Sequence, residues 1–131
     1  MRAFHAALTA IALVFSVSAA LADEVDLAAG KKIFARCKAC HTLDEGGKDG
    51  IGPNLHGVFG RTAGTKEGVR YSKAMTAKGE EGLVWSEETL MTYLEKPAAM
   101  VPGTSMAFPG LKKPEERANL IAYLKHETGE E

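Results

Sequence analysis

Between Thr42 and Gly68 the chain loses hydrophobic periodicity altogether. The stretch DEGGKDGIGPNLHGVFGRTAGTKEG is dense in glycine and carries a proline, yet it also holds Ile51, Leu55, Val58 and Phe59. Glycine and proline at that density mark an irregular loop. Aperiodic loops this long inside a compact domain are uncommon and usually functional. A second extended loop, AAMVPGTSMAFPGLKK, runs between Pro97 and Pro114. Two such loops constrain the fold more than any helix does, because their apolar side chains need something to wrap.

The segments around them read as helices. VDLAAGKKIFARC predicts a helix over 25–37, with Asp26 as its N-cap and Leu27, Ile33, Phe34 and Cys37 on one side. Gly30 inside it costs about 1 kcal/mol relative to alanine, which predicts a close approach to another backbone. YSKAMTAKG predicts a short helix capped by Ser72. WSEETLMTYLEKP is the clearest helix: Ser86 caps it, Glu87 and Glu88 occupy its first turn, and Pro97 stops it. Trp85 and Leu90 stand where a hydrophobic staple would hold them together. The last helix has Pro114 at its first position, an apolar stripe of Leu120, Ile121, Tyr123 and Leu124, and an end near Gly129. No strand pair is expected. The fold class is all-α, and such a domain with two long loops lacks a self-sufficient core.

The first 22 residues have the order of an export leader. Arg2 is followed by AALTAIALVFSVSAALA, which is uncharged and ends in Ala20-Leu21-Ala22. The apolar run is slightly shorter than the ~20 residues that span a bilayer, so cleavage is expected to leave one domain, 23–131. A domain of that size buries only roughly two-thirds of its unfolded surface. The chain carries 16 Lys and Arg against 17 Asp and Glu, and losing Arg2 makes the balance slightly more acidic. That argues against non-specific nucleic-acid binding. No internal repeat or second linker is apparent.

Both cysteines fall in FARCKACHTL, with a histidine directly after the second. A thioredoxin-like redox pair expects a βαβ setting, which the chain does not offer. A structural zinc site needs four ligands. Beyond Cys37, Cys40 and His41, the domain has only His56 and His126, at unsuitable spacing. A structural disulfide between Cys37 and Cys40 would close too small a loop to stabilise much. The C-x-x-C-H pattern is the attachment signature of c-type haem. Its spacing lets each sulfur add to one porphyrin vinyl group, with His41 beneath the macrocycle. One haem would supply the missing apolar core, and the glycine-rich loops would become its walls.

The opposite axial position separates an electron carrier from a catalyst. Met75 lies in a lysine-rich stretch expected to be exposed. Met91 is at helical spacing and reads as core filler, while Met100 is close to the preceding helix end. Met106 sits in PGTSMAFPG, bracketed by Pro102-Gly103 and Pro109-Gly110, a loop able to approach the haem face opposite His41. These features favour Met106. His/Met ligation raises the reduction potential and closes the iron to exogenous ligands, which suits one-electron transfer. The rival is a small haem peroxidase or gas-binding protein with an open sixth site.

The motifs GKKIFARCKACHTL, GPNLHGVFGRTAG, WSEETLMTYLEKP, PGTSMAFPGLKK and LIAYLK closely resemble class I cytochrome c, in the branch of mitochondrial cytochrome c and bacterial cytochrome c2 or c550. The resemblance covers essentially all of 23–131. It implies three main helices with short helical turns and long loops around one covalently bound haem c. Cys37 and Cys40 would be the thioether sites, His41 and Met106 the axial ligands, and the Pro53 carbonyl the acceptor for the other ring N–H of His41. Arg61, Tyr71 and Trp85 would hold the haem propionates, and Tyr93 and Thr104 would belong to the polar network beside the methionine sulfur. Phe108 would lie at the exposed haem edge. Gly30 and Phe34 would meet Tyr123 and Leu124 where the terminal helices cross.

The resemblance also implies a non-enzymatic, monomeric electron shuttle of the periplasm, with no small-molecule substrate. Its partners would be membrane or periplasmic redox proteins: a quinol–cytochrome c reductase, a terminal oxidase, a photosynthetic reaction centre or a dehydrogenase. This chain departs from the pattern at Met75, where many relatives carry asparagine, and at three extra residues within AKGEEGLVW. Ala98, Ala99 and Ser105 stand where mitochondrial relatives usually present lysines. Its remaining cations are expected at the haem edge, with Arg36 and Lys38 beside the attachment motif and Lys112 and Lys113 after the methionine loop.

Overall fold

Asp26 starts the first helix, its carboxylate accepting the Ala29 N–H at 3.0 Å. The computed structural model describes residues 24–130, so the leader expected at 1–22 and the junction at Asp23 lie outside the described residues. Helix α1 covers Leu27–Phe34, shorter than the predicted 25–37. Beyond Phe34 the backbone tightens, with the Cys37 N–H donating to the Phe34 carbonyl at 2.8 Å. That three-residue closure breaks the α-helical register, so both cysteines ride on a turn rather than on the helix.

Ser72 caps α2 (Lys73–Glu80) by accepting the Met75 N–H at 3.0 Å. The cap of α3 (Glu87–Tyr93) is reciprocal. Ser86 Oγ accepts the Thr89 N–H at 3.1 Å, and Thr89 Oγ1 accepts the Ser86 N–H at 2.8 Å. Threonine thus does here what Glu or Gln does in the usual capping box. The two staple residues, Trp85 and Leu90, are both buried. Pro97 is expected to stop α3, but α3 already ends at Tyr93, and Pro97 instead opens a one-turn helix, α4 (Pro97–Met100), inside the segment expected to be loop. Proline is tolerated at a first helical position, where its missing N–H has no intrahelical partner to lose. The last helix, α5 (Pro114–Thr128), begins at a proline and ends at Gly129, whose φ of 68° turns the chain so that the Glu130 N–H reaches the Lys125 carbonyl at 3.0 Å.

The core forms where α1 crosses α5. A Cβ on Gly30 would collide with the Asn119 backbone carbonyl and stand 2.7 Å from Tyr123 Cβ. This close approach is the reason for a glycine in mid-helix. One turn on, the rings of Phe34 and Tyr123 are tilted together with centroids 5.8 Å apart. Leu120, Ile121 and Leu124 are buried beside them, each contributing about 1.5–3 kcal/mol by leaving water. Asn119 Oδ1 accepts the Asp26 N–H at 2.8 Å, tying the ends of the chain together, and Lys125 pairs with Glu87 to hold α5 to α3.

Among the described residues there is no strand, only an isolated bridge between Thr62 and Val84. It is bordered by hydrogen bonds from Ala63 N–H to the Leu83 carbonyl and from Trp85 N–H to the Arg61 carbonyl. The loops bring Leu43, Leu55, Phe59, Met106 and Phe108 against the buried core without burying them fully. Met75 belongs with these residues. It is half-buried and packs on the core rather than facing solvent as the lysines around it predict, because α2 turns its lysines outward.

Candidate haem site

His41 follows the cysteine turn, and its Nδ1 lies 2.7 Å from the Pro53 carbonyl oxygen. A carbonyl has no proton to give, so Nδ1 carries the hydrogen and Nε2 keeps its lone pair. Gly52 lies against the same ring. A Cβ there would overlap Cε1 and stand 2.9 Å from both ring nitrogens, so any larger residue would displace the imidazole. The Gly52 N–H also donates to the Cys40 carbonyl at 2.9 Å, pinning the Gly-Pro segment to the attachment turn. The sequence alone gives Gly52 no role beyond the loop. Its position directly before Pro53 was the available signal.

Asn54 has no local signature at all, being a lone asparagine in a glycine-rich loop. It is 3% exposed. Its backbone N–H donates to Asp49 Oδ1 at 2.8 Å, and its side-chain amide donates to Thr42 Oγ1 and to the Asp44 carbonyl. Its Oδ1 accepts the His56 N–H, and its carbonyl accepts from Arg61. Asp49 in turn accepts from Lys66 at 2.9 Å. These donors hold its carboxyl below the usual carboxylate range, the Asn54 N–H most of all.

Cys37 and Cys40 are free, half-buried thiols. Burial pushes the Cys37 thiol up, and the neighbouring Arg36 opposes that rise. Among the described residues no three His, Cys, Asp or Glu side chains converge as a metal-binding group.

Across the fold, α3 positions Tyr93 so that its hydroxyl donates to Met106 Sδ at 3.1 Å. Burial pushes the Tyr93 hydroxyl up to about 12, with a hydrogen bond to Thr104 opposing, so the donor keeps its proton near neutral pH. Thr104 Oγ1 also accepts the Met106 N–H at 3.2 Å. Tyr93, Thr104 and Met106 are therefore brought together. The Trp85 and Tyr93 rings are tilted against each other with centroids 4.8 Å apart, and the Trp85 backbone is joined to Gly60 and Arg61. Arg61 donates to the carbonyls of His56 and Asn54. The Tyr71 hydroxyl accepts the Lys66 N–H at 3.2 Å. Phe108 is half-buried, with the Arg36 guanidinium 5.1 Å over its ring, which joins the attachment turn to the methionine loop. Of the other methionines, Met91 is half-buried on α3 and lines a surface groove with Leu27 and Ile121, and Met100 closes α4. Among the described residues Met106 is the methionine whose sulfur has a hydrogen-bond donor.

This donor set fits a haem: two free thiols on one turn, an imidazole held by Nδ1 with Nε2 free, an oriented thioether, and loops that present apolar side chains. An all-α fold with such a site defines a c-type haem protein. The family profile for cytochrome c matches residues 27–128. A cytochrome c2 of Afifella marina is 52% identical over 99 residues, covering 76% of this chain and 80% of the relative. A cytochrome c of Chlamydomonas reinhardtii is 53% identical over 104 residues, 79% of this chain and 90% of its own length. A cytochrome c2 of Agrobacterium tumefaciens (strain II Chrys) is 50% identical over 101 residues, 77% and 91% of the two chains. The chain belongs to the cytochrome c family and carries haem c covalently attached through Cys37 and Cys40.

Proposed function

We propose that this protein is a soluble periplasmic one-electron carrier in which His41 Nε2 and Met106 Sδ are the axial ligands. The observation that carries this reading is that each candidate ligand has its own orienting partner. Pro53 accepts from His41 Nδ1, and Tyr93 donates to Met106 Sδ. Haem bound there supplies the Fe(III)/Fe(II) couple. Pro53 fixes the imidazole plane and raises its basicity. Tyr93 keeps one sulfur lone pair engaged and leaves the other directed elsewhere. With both axial positions supplied by side chains, small oxidants and gases would find no open site, which disfavours peroxidase or gas-binding chemistry.

Arg61 has five N–H donors, of which two serve the His56 and Asn54 carbonyls. The remainder, with the Tyr71 hydroxyl and the Trp85 indole, are suited to hold the haem propionates. Arg36, Lys38, Lys112 and Lys113 are exposed and unpaired among the described residues. Together with Phe108 they suit an acidic redox partner in the membrane or periplasm, such as a quinol–cytochrome c reductase, a terminal oxidase, a reaction centre or a dehydrogenase. The leader at 1–22 would deliver residues 23–131 to the periplasm as a monomer.

The ferric protein should show the long-wavelength absorption band of sulfur–iron ligation, and haem should survive acid extraction. Electron transfer to an acidic partner should slow as salt rises, because screening weakens steering beyond ~10 Å at 0.1 M. A rate flat in ionic strength would shift docking from these cations to apolar contact. Recovery of the protein in membranes with Met1 intact would overturn the periplasmic assignment.

A further inference from the structure

We propose that Arg36 is a positioning residue for the sixth ligand: its guanidinium clasps the Phe108 ring and so keeps the Met106 sulfur seated. This rests on the reading of Met106 as an axial ligand.

The segment that carries Met106 is fastened firmly at its two roots. At one, the Thr104 N–H donates to the Val101 carbonyl at 3.0 Å. At the other, the Leu111 N–H donates to the Leu94 carbonyl at 2.8 Å, and the buried Arg117 donates to the Leu111 carbonyl at 2.6 Å. Gly110, at a φ of 110°, passes so close to the end of α3 that a Cβ would overlap the Glu95 carbonyl oxygen. Between the roots, residues 105–109 take part in no backbone–backbone hydrogen bond among the described residues. Side chains alone hold that span.

Those side chains alternate. Met106 and Phe108 are half-buried against the core, while Ser105, Ala107 and Pro109 are exposed. A spacing of two along an extended chain puts Met106 and Phe108 on one side, so what holds the ring also holds the thioether. The Tyr93 hydroxyl reaches the sulfur at 3.1 Å, and Arg36 Cζ lies 5.1 Å from the centroid of the Phe108 ring. Arg36 is itself placed by the attachment turn. Its N–H donates to the Ile33 carbonyl at 3.1 Å, and Cys37 follows it directly. It has no ion-pair partner among the described residues, so no carboxylate draws the guanidinium off the ring. The clasp thus ties the segment of one axial ligand to the segment of the other. Swinging Met106 away to open the sixth position carries Phe108 with it and breaks the contact.

An exposed cation–π contact is worth about 0.5–1 kcal/mol, which is about two- to five-fold in an equilibrium constant. A ligand that binds only the opened form has an apparent affinity set by the fraction opened. Titrating the ferric holoprotein with imidazole, at a mildly alkaline pH where imidazole is neutral, and following loss of the sulfur–iron band therefore reads the clasp. Arg36→Gln should bind imidazole about three-fold more tightly than the wild type. Lys32→Gln, which removes an equal charge from the exposed side of α1, should bind as the wild type does. In a Phe108→Leu background Arg36→Gln should add nothing, because the ring it acts through is gone. An Arg36→Gln affinity no tighter than wild type, an equal gain from Lys32→Gln, or the same gain in the Phe108→Leu background would each overturn the clasp. A wild-type protein without the sulfur–iron band would overturn the Met106 reading and the clasp with it. A wild type that shows the band, with an indifferent Arg36→Gln, removes the clasp alone.

Discussion

Pro53 and His41 are linked by a 2.7 Å hydrogen bond, and the peptide group that supplies its acceptor is held at its other end too. The Pro53 carbonyl and the Asn54 N–H belong to one planar peptide unit, and that N–H is bound to Asp49 Oδ1 at 2.8 Å. The imidazole is therefore oriented by a chain that runs from Lys66 through Asp49 and Asn54 to Pro53. Removing the buried Asn54 side chain takes a hydrogen-bond partner from Thr42 Oγ1, the Asp44 carbonyl and the His56 N–H. Asn54→Ala should cost about 1–3 kcal/mol of stability, read by denaturant unfolding. Alanine keeps the backbone N–H bound to Asp49 but loses the side-chain bonds that fix the loop around it. The His41 hydrogen bond should loosen and the reduction potential rise, because the imidazole becomes a poorer donor to Fe(III). An unchanged potential would confine Asn54 to a structural role.

Asp49 gives a pH dependence with a definite sign. Its carboxyl is held low by the Asn54 N–H first and the Lys66 ammonium second, so its folded pKa lies below the unfolded value of about 3.9. The folded state favours the ionised form. This contribution is present above the unfolded value and lost as pH falls through the folded one. Asp49→Asn should be less stable at neutral pH and should lose stability less steeply on acidification, an effect that salt weakens. Chemical unfolding followed from neutral to acid pH checks it. An acid limb as steep as in the wild type would contradict it.

Tyr93→Phe deletes the hydroxyl that donates to Met106 Sδ while keeping the ring that packs against Trp85. A donated hydrogen bond draws electron density from sulfur and disfavours Fe(III). Its loss should lower the reduction potential and strengthen the sulfur–iron band. Potentiometry with ferric absorption spectra decides, and a potential that rises would refute the argument.

Met106→Ala should keep haem covalently attached through Cys37 and Cys40 but lose the sulfur–iron band, lower the potential and open the iron to carbon monoxide or peroxide. Met100→Ala should do none of this. Should the two variants exchange behaviours, the ligand would be the residue that closes α4.

Gly30→Ala places a methyl group against the Asn119 carbonyl and Tyr123 Cβ. Backbone cannot yield as a flexible side-chain end can, so helix propensity gained by alanine should be outweighed by overpacking of about 1–3 kcal/mol. Thermal unfolding of the holoprotein measures the outcome. A higher midpoint would mean that the two helices separate more easily than their contact suggests.

Whatever is closed within a few residues is legible in the residues themselves. Asp26, Ser72 and Ser86 cap their helices through N–H groups three positions away, Pro114 and Gly129 bound α5, and the CKACH spacing brings two thiols and an imidazole onto one turn. These interactions need no distant partner, so composition and spacing suffice to read them. Local signals misjudged the end of α1 and missed α4, where a single turn of backbone bonding outweighs the side-chain pattern. Of the four methionines beyond the leader, Met106 is favoured in the sequence by the Pro-Gly pairs around it. What the fold adds is a donor to its sulfur, the Tyr93 hydroxyl 13 positions earlier on α3. Pro53 and Tyr93 were legible through likeness to a family rather than through the residues alone, and Gly52 and Asn54 not even so. The tertiary structure decided these, because a hydrogen-bond partner or a steric limit 12 or 93 positions away exists only once the loops have been folded against the helices.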